Sequence, residues 1–188
     1  MNITAGAMKK KIMALYERLD SVSPLDCDCG KLCGEVCCVY DVDSDACDKL
    51  GLYLMPGEEL MYLDSDDFNL YCVKACEIDY PYSWKDDIYL VECVNPPHCD
   101  RKIRPIQCRT FPLIPHISRD GKLHLIFDEN EFPYDCPIIT EDIELNSDFI
   151  MVNYDVWSIL IKNPLVYDLI EFDSRRRDNK RLEYQIII

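Results

Sequence analysis

The chain has 188 residues and 48% hydrophobic content, enough for one buried core, so we predict a single domain spanning residues 1–188. A formal net charge of −15 argues against nucleic acid as a partner, because so acidic a chain repels a polyanion. No stretch is apolar enough to span a bilayer, and no signal peptide opens the sequence, so we expect a cytoplasmic protein without a membrane partner.

The chain up to Val94 is predicted to hold one helix and several short strands. We expect residues 1–7 to be irregular, and apolar positions at helical spacing predict a helix from Met8 to Leu19. The segment Leu50–Leu63 predicts a strand, a Pro-Gly turn, and then a strand or short helix. Runs rich in Tyr, Val and Ile predict two more strands, Leu70–Ile78 and Ile88–Val94.

The remaining elements are one more strand, two helices and an apolar tail. Lys122–Phe127 alternates between polar and apolar residues, which predicts a short strand. Ser147 or Asp148 can cap a helix that runs to about Ile161. Asn163-Pro164 then ends this helix and starts another, because Asn suits an N-cap and Pro suits the first turn.

The second of these helices is expected to end at Arg175–Arg177, where cations are favourable. The apolar tail, Leu182–Ile188, is predicted to dock as a last strand. These elements together predict an α+β fold with short strands, a loop-borne cysteine cluster, an N-terminal helix and C-terminal helices. Within it we assign residues 27–140 to a metal-binding region and residues 147–188 to a helical extension.

Nine of the twelve cysteines lie in three short, loop-like segments. Gly and Pro within these segments let several sulfurs converge on one point. In a reducing cytosol thiols stay reduced or bind metal, whereas disulfide frameworks are typical of small secreted chains. We therefore predict a thiolate-bound metal ion. The candidate ligands are Cys27, Cys29, Cys33, Cys37, Cys38, Cys93, Cys99, Cys108 and Cys136.

The spacing leaves the identity and number of the metal ions open. Zinc takes four nitrogen or sulfur ligands, and iron–sulfur clusters are also held by four thiolates, so zinc, iron and an iron–sulfur cluster all fit. Eight or nine thiols suffice for two four-sulfur sites, or for one site with reactive or structural thiols beside it. For a site that joins the segments, we favour Cys33, either Cys37 or Cys38, Cys108, and Cys136.

The other cysteines and two of the histidines are expected to have structural roles. Cys72 and Cys76 fall in one predicted strand on the same face, and a buried free cysteine behaves as a small hydrophobe. The same role is expected for Cys47. His116 and His124 are predicted to be ordinary surface or strand residues.

Two arginines lie next to candidate ligands. Beside thiolates, the guanidinium groups of Arg104 and Arg109 can donate hydrogen bonds to sulfur and offset its negative charge. The alternative is a cationic pocket for an anionic substrate, which requires an open metal position. No phosphate-binding loop and no Ser-His-Asp or Cys-His set is legible, so the sequence leaves enzymatic activity open.

These residues resemble a known family. The cysteine-rich opening that ends in Cys37-Cys38, followed by Cys99, Arg104-Pro105 and the run from Cys108 to Leu113, is similar to the YkgJ-like cysteine-cluster family. That family is described as a zinc- or iron-chelating domain of CxxCxxCC type. Here the gaps before the cysteine pair are three residues long, so which sulfurs share a metal is open.

The resemblance covers roughly residues 27–140 and includes Gly51–Glu59 and Cys136-Pro137. It implies a metal-binding protein whose activity is otherwise unassigned. A similar cluster in flagellin lysine-methylating proteins implies an alternative, an iron–sulfur-dependent enzyme or redox protein. Metal delivery or storage is a second alternative.

Overall fold

A computed structural model describes residues 4–39, 51–85, 87–127 and 134–188, and within these ranges the fold is α+β, as predicted. The helices are α1 (Ala5–Asp20), α2 (Gly30–Cys33), α3 (Val36–Val39), α4 (Ile106–Thr110), α5 (Pro137–Thr140), α6 (Ser147–Leu160) and α7 (Pro164–Lys180). The strands are β1 (Leu52–Tyr53), β2 (Phe68–Lys74), β3 (Asp87–Cys93), β4 (Ile114–Ile117), β5 (Leu123–Phe127) and β6 (Gln185–Ile186).

Helix α1 begins earlier than the sequence pattern indicates. The Thr4 side chain accepts a hydrogen bond from the backbone N–H of Ala7, so the first helical residue is Ala5. The expectation that residues up to 7 are irregular is therefore wrong for residues 5–7. The apolar face predicted from the spacing is the buried one, and it comprises Ile12, Leu15, Tyr16 and Leu19.

The first sheet is antiparallel with strand order β1-β3-β2. Strand β2 ends at Lys74, and the chain continues as a 3₁₀ turn, Ala75–Glu77, so the strand predicted over 70–78 was too long at this end. After β1, the predicted short helix is present as a second 3₁₀ turn, Glu58–Met61.

The second sheet is antiparallel with order β4-β5-β6. Strand β6 comes from the apolar tail and pairs with β5, as predicted. Strand β4 was not predicted, because Pro115 interrupts the run of strand-forming residues. Since β4 lies at the sheet edge, the N–H that proline lacks is not needed for pairing.

The two long C-terminal helices differ slightly from their predicted bounds. Asn146, rather than Ser147, precedes the first helical residue of α6. Helix α7 begins as predicted, with the Asn163 side chain accepting from Leu165 N–H at 3.1 Å, but it continues to Lys180. Within the described ranges, none of the helices combines the length and apolar character needed to cross a membrane.

Two groups of buried residues support the fold. The larger core joins α1, both sheets and the C-terminal helices, so residues 147–188 share the core of the whole domain. The smaller cluster lies on the first sheet and comprises Leu54, Tyr62, Phe68 and Val91. Cys136 belongs to the larger core and Cys29 packs against it, whereas Cys93 and Cys99 pack against the smaller cluster.

Candidate metal centre

The first cysteine segment leaves α1 and is tied to the start of α6. The backbone N–H of Asn146 donates to the carbonyl of Pro24 at 2.9 Å, and its side-chain amide donates to that of Ser23 at 3.1 Å. Helix α2 follows, with Cys29 as its N-cap residue and Cys33 as its last residue. Residues four apart lie on one face of a helical turn, so these two cysteines share a face.

A left-handed turn redirects the chain between α2 and α3. Gly34 has φ 65° and Glu35 has φ 61°, and the N–H of Glu35 donates back to the carbonyl of Gly30 at 2.9 Å. This turn starts α3, which carries Cys37 and Cys38 with their sulfur atoms 4.0 Å apart. In a tetrahedral Zn(Cys)₄ site the sulfurs are separated by about 3.8 Å, given Zn–S bonds of about 2.3 Å.

The second segment brings three thiols from β3, a loop and α4. Cys93 is the last residue of β3, Cys99 lies in the following loop, and Cys108 is in α4. The Nε atom of Arg104 donates a hydrogen bond to the sulfur of Cys99 at 3.2 Å. This contact is the thiol interaction expected for Arg104. The third segment contributes Cys136, which is 8% exposed and precedes α5.

Four thiols, which we call the Cys108 group, lie around Arg104: Cys38, Cys93, Cys99 and Cys108. Burial, together with the nearby thiols of Cys99 and Cys38, raises the pKa of Cys93 to about 11, although Arg104 lowers it. Burial also raises the pKa of Cys108, with contributions from the thiols of Cys93, Cys38 and Cys99. Cys93 and Cys108 are therefore close enough to each other, and to Cys38 and Cys99, to sense the charge of these thiols.

A second set of thiols, which we call the Cys136 group, comprises Cys29, Cys33, Cys37 and Cys136. Burial raises the pKa of Cys29, and the charges of Asp28, Cys136 and Cys33 raise it further. For Cys136, too, burial raises the pKa, and the thiol of Cys33 adds to this effect. Cys33 thus lies near Cys136, whereas Cys108 lies among the other three thiols of its own group.

The adjacent cysteines of α3 connect the two groups. The hydrogen bond with Cys38 raises the pKa of Cys37, and burial and the thiols of Cys38, Cys33 and Cys29 raise it further. The same hydrogen bond lowers the pKa of Cys38 to about 6, helped by the positive charges of Arg104 and Arg101. The pair therefore loses its first proton easily and its second with difficulty.

A cleft of about 320 Å³ opens beside the thiols. Its walls include Cys27, Cys29, Cys37 and Cys38, so these sulfurs can be reached from solvent. Arg101 also lines the cleft and forms an ion pair with Asp28, with 3.3 Å between the Arg101 Nη2 and Asp28 Oδ2 atoms. The cleft is therefore lined by thiols of both groups.

Arg109 has a different role from the thiol contact expected for it. Its guanidinium donates to the backbone carbonyls of Arg104 at 2.5 Å, Arg101 at 2.8 Å and Tyr16 at 3.5 Å, and it pairs with the Asp20 carboxylate. It also stacks over the Tyr16 ring, with its central carbon 4.2 Å from the ring centroid. Arg109 therefore holds the loop that carries Arg104 against α1.

The sequence did not predict a fully buried carboxylate that helps to hold this loop against α1. Glu58 is 0% exposed and accepts from the Tyr16 hydroxyl at 2.7 Å, Ile106 N–H at 2.7 Å and Met55 N–H at 2.8 Å. Tyr62 bonds the Tyr16 hydroxyl and the Ile103 carbonyl. The available signal was an acidic pair directly after Pro-Gly in an otherwise apolar stretch.

Two expectations for the remaining cysteines and histidines can be compared with the structure. Cys72 and Cys76 are exposed rather than buried, and Cys76 lies beyond the end of β2. His116 and His124 are strand residues, one of the two alternatives expected, and His116 is 2% exposed. Cys47 lies outside the described residues.

The thiols converge without enclosing a metal ion. Among the residues that the structure describes, no three His, Cys, Asp or Glu side chains are arranged to hold a metal as they stand. The donor chemistry nevertheless fits a metal that prefers sulfur, because free thiols from three segments meet beside a guanidinium.

No protein-family model, no curated protein and no solved structure matches this chain. The resemblance to the YkgJ-like cysteine-cluster family therefore stays a prediction from the cysteine, Arg-Pro and Cys-Pro motifs.

Proposed function

We propose that this protein binds zinc or iron through the thiolates of its clustered cysteines, in the manner of the YkgJ-like family. The observation that supports the proposal most is the convergence of eight free thiols from three separate segments. Packing in the core does not explain this number, because only Cys136 among the eight is buried. Thiolate ligation of a metal explains their number.

The charges around the cysteines also support the proposal. Four thiolates around one divalent metal leave about two net negative charges, which need a cationic neighbour. Arg104 supplies one through its hydrogen bond to the Cys99 sulfur, in a chain with a net charge of −15. Arg109 keeps Arg104 in place by bonding its carbonyl. We also propose a cytoplasmic location, which the free state of all eleven described cysteines supports, because a reducing compartment keeps thiols free.

Metal analysis of protein purified without added metal tests this proposal. We expect zinc or iron to co-purify, and Cys108→Ser to lower the metal content. The matched control is the double variant Cys72→Ser/Cys76→Ser, which removes two exposed thiols outside both groups and should keep the metal. A wild-type protein that binds neither metal, even after reconstitution under reducing conditions, contradicts the proposal.

The colour of anaerobically purified protein distinguishes the alternatives. A brown protein with visible sulfur-to-iron absorption indicates an iron–sulfur centre and favours an enzyme or redox protein. A colourless protein that contains zinc favours a structural site. Rapid transfer of the metal to a competing thiol peptide favours metal delivery, for which the exposed Cys27 beside the cleft is suited.

A further inference from the structure

The adjacent cysteines of α3 leave the helix in different directions, although their sulfur atoms lie 4.0 Å apart. Successive residues of a helix are rotated by about 100°, since one turn takes 3.6 residues. Cys37 accordingly lies near Cys29 and Cys33, whereas Cys38 lies near Cys93 and Cys108. A helix of four residues thus presents one sulfur to each group of thiols.

The two groups are anchored to different parts of the molecule. In the Cys136 group, Cys136 is part of the larger core and Cys29 packs against it. In the Cys108 group, Cys93 and Cys99 pack against the smaller cluster on the first sheet. Each group therefore has an anchor of its own, although both take thiols from the α2–α3 segment.

We propose that the protein holds two metal centres, one in each group, and that Cys37 and Cys38 are divided between them. This inference rests on the proposed function and adds the number of centres and their ligands. One centre takes the thiolates of Cys29, Cys33, Cys37 and Cys136, and the other takes those of Cys38, Cys93, Cys99 and Cys108. Each set supplies the four sulfurs that a tetrahedral centre requires.

The charges next to the two centres differ. Arg104 bonds to a sulfur of the Cys108 group. In the Cys136 group the carboxylate of Asp28 instead has the largest charge effect on the pKa of Cys29. A cation stabilises a thiolate-bound centre of net negative charge and an anion destabilises it. The Cys108 group should therefore retain its metal longer when a chelator is added.

Native mass spectrometry of the zinc-loaded protein, with zinc analysis, tests the division. The wild type should carry two zinc ions, Cys136→Ser and Cys93→Ser one each, and the double variant none. Cys27→Ser is the matched control, because Cys27 lies in the same segment but in neither group, and it should carry two. Chelator added to the wild type should first yield a one-zinc species that Arg104→Ala makes shorter-lived.

A single variant that loses both zinc ions indicates one shared cluster and contradicts the division of the thiols into two centres. A wild type that carries one zinc ion contradicts it as well. A wild type that carries none overturns the proposed function as well, so the two failures differ. Titration of the wild type with Co²⁺ tests the number of centres without any variant, so it applies even if a variant does not fold. Thiolate-to-cobalt absorption should rise to two equivalents, and saturation at one equivalent contradicts the inference.

Discussion

Arg104 and Arg109 show how two arginines five residues apart take different roles. Arg104 donates to the sulfur of Cys99, whereas Arg109 is buried and donates to backbone carbonyls and to Asp20. The planar guanidinium has five donors in fixed directions, which lets one side chain bridge several acceptors. Arg109 consequently affects the metal only through the loop that it positions.

Replacement of Arg109 should cost stability first and metal affinity second. We expect Arg109→Ala to lower the free energy of unfolding by about 3 kcal/mol, because buried carbonyls lose a charged donor. Arg109→Lys should lose more than half of that free energy as well, since an ammonium cannot bridge both loop carbonyls. Metal affinity should fall about tenfold in chelator competition, without being abolished.

The control for Arg109 is Arg119→Ala. The Arg119 side chain is 85% exposed and its ion pair with Asp178 lies at the surface, so its loss should change stability by less than about 1 kcal/mol. Urea unfolding measures both variants. An Arg109→Ala protein as stable as the wild type would remove Arg109 from the support of the loop.

Glu58 should make the stability of the protein depend on pH. Burial raises the pKa of Glu58 above its ordinary value of 4.5, despite the hydrogen bonds from Ile106, Tyr16 and Met55. The folded state then holds the proton more tightly than the unfolded state. The contribution of Glu58 to the free energy of unfolding is therefore fully present below pH 4.5. It is lost as the pH rises through the pKa of Glu58 in the folded state.

The comparison with Glu58→Gln isolates this dependence. Glutamine does not titrate, so the stability advantage of the wild type over the variant should shrink as the pH rises above about 4.5. The variant should still be less stable, by about 1–3 kcal/mol near pH 4.5, because its amide N–H₂ faces the N–H of Met55. Urea unfolding with chelator present gives the free energy of unfolding of the wild type and of the variant at each pH. Parallel curves from pH 4.5 to 7 would contradict the raised pKa.

At the scale of elements, the α2–α3 turn is the part on which both thiol groups depend. Cys29 and Cys33 precede the turn, and Cys37 and Cys38 follow it. Gly34 adopts φ 65°, a left-handed conformation that costs a residue with a side chain about 1–2 kcal/mol. The turn therefore sets the distance between the two pairs of cysteines.

Gly34→Ala should destabilise the metal-loaded protein more than the metal-free protein. No atom lies within 4 Å of an added Cβ at Gly34, so the cost is backbone strain alone, about 1 kcal/mol. The cost should appear chiefly in the metal-loaded state, because only there must the turn keep its conformation. Metal affinity should accordingly drop several-fold.

Gly6→Ala is the matched control for this change. Gly6 also has open space around its Cβ position, but it lies in α1, where alanine favours the helix by about 0.5–1 kcal/mol. This variant should be slightly more stable and bind metal unchanged. Equal effects of the two substitutions on chelator competition would exclude strain at the turn as the cause.

At the scale of the whole molecule, the core does not depend on the thiols. Helices α1, α6 and α7 and both sheets share the larger core. Among the described residues, Cys136 is the only buried cysteine in this core. The α2–α3 segment, by contrast, has no buried residue. Local unfolding free energies are lowest where few apolar contacts are buried.

Metal removal should therefore loosen the cysteine segments and leave the domain folded. We expect the far-ultraviolet circular dichroism of chelated protein to keep most of its helical signal, while amide exchange in residues 27–38 becomes fast. Metal binding free energy is folding free energy only for the part that it orders. A collapse of the circular dichroism to that of a random coil would contradict this division of the molecule.

The sequence alone determined the α+β class, the helices of both termini and the strand in the apolar tail. Helical spacing in α1, the Asn163-Pro164 start of α7 and the runs rich in Tyr, Val and Ile are local signals, which act within a few residues. The clustering of cysteines and the neighbouring Arg104 were likewise readable, because short loops with Gly and Pro bring nearby sulfurs together.

Only the tertiary structure decided which thiols meet. Cys108 lies near Cys93 and Cys99 although its own helix, α4, buries Ile106 in the larger core, and Cys29 lies near Cys136 because both contact that core. Neither relation follows from spacing along the chain. The burial of Glu58 and the exposure of Cys72 were also decided there, since each depends on neighbours distant in sequence.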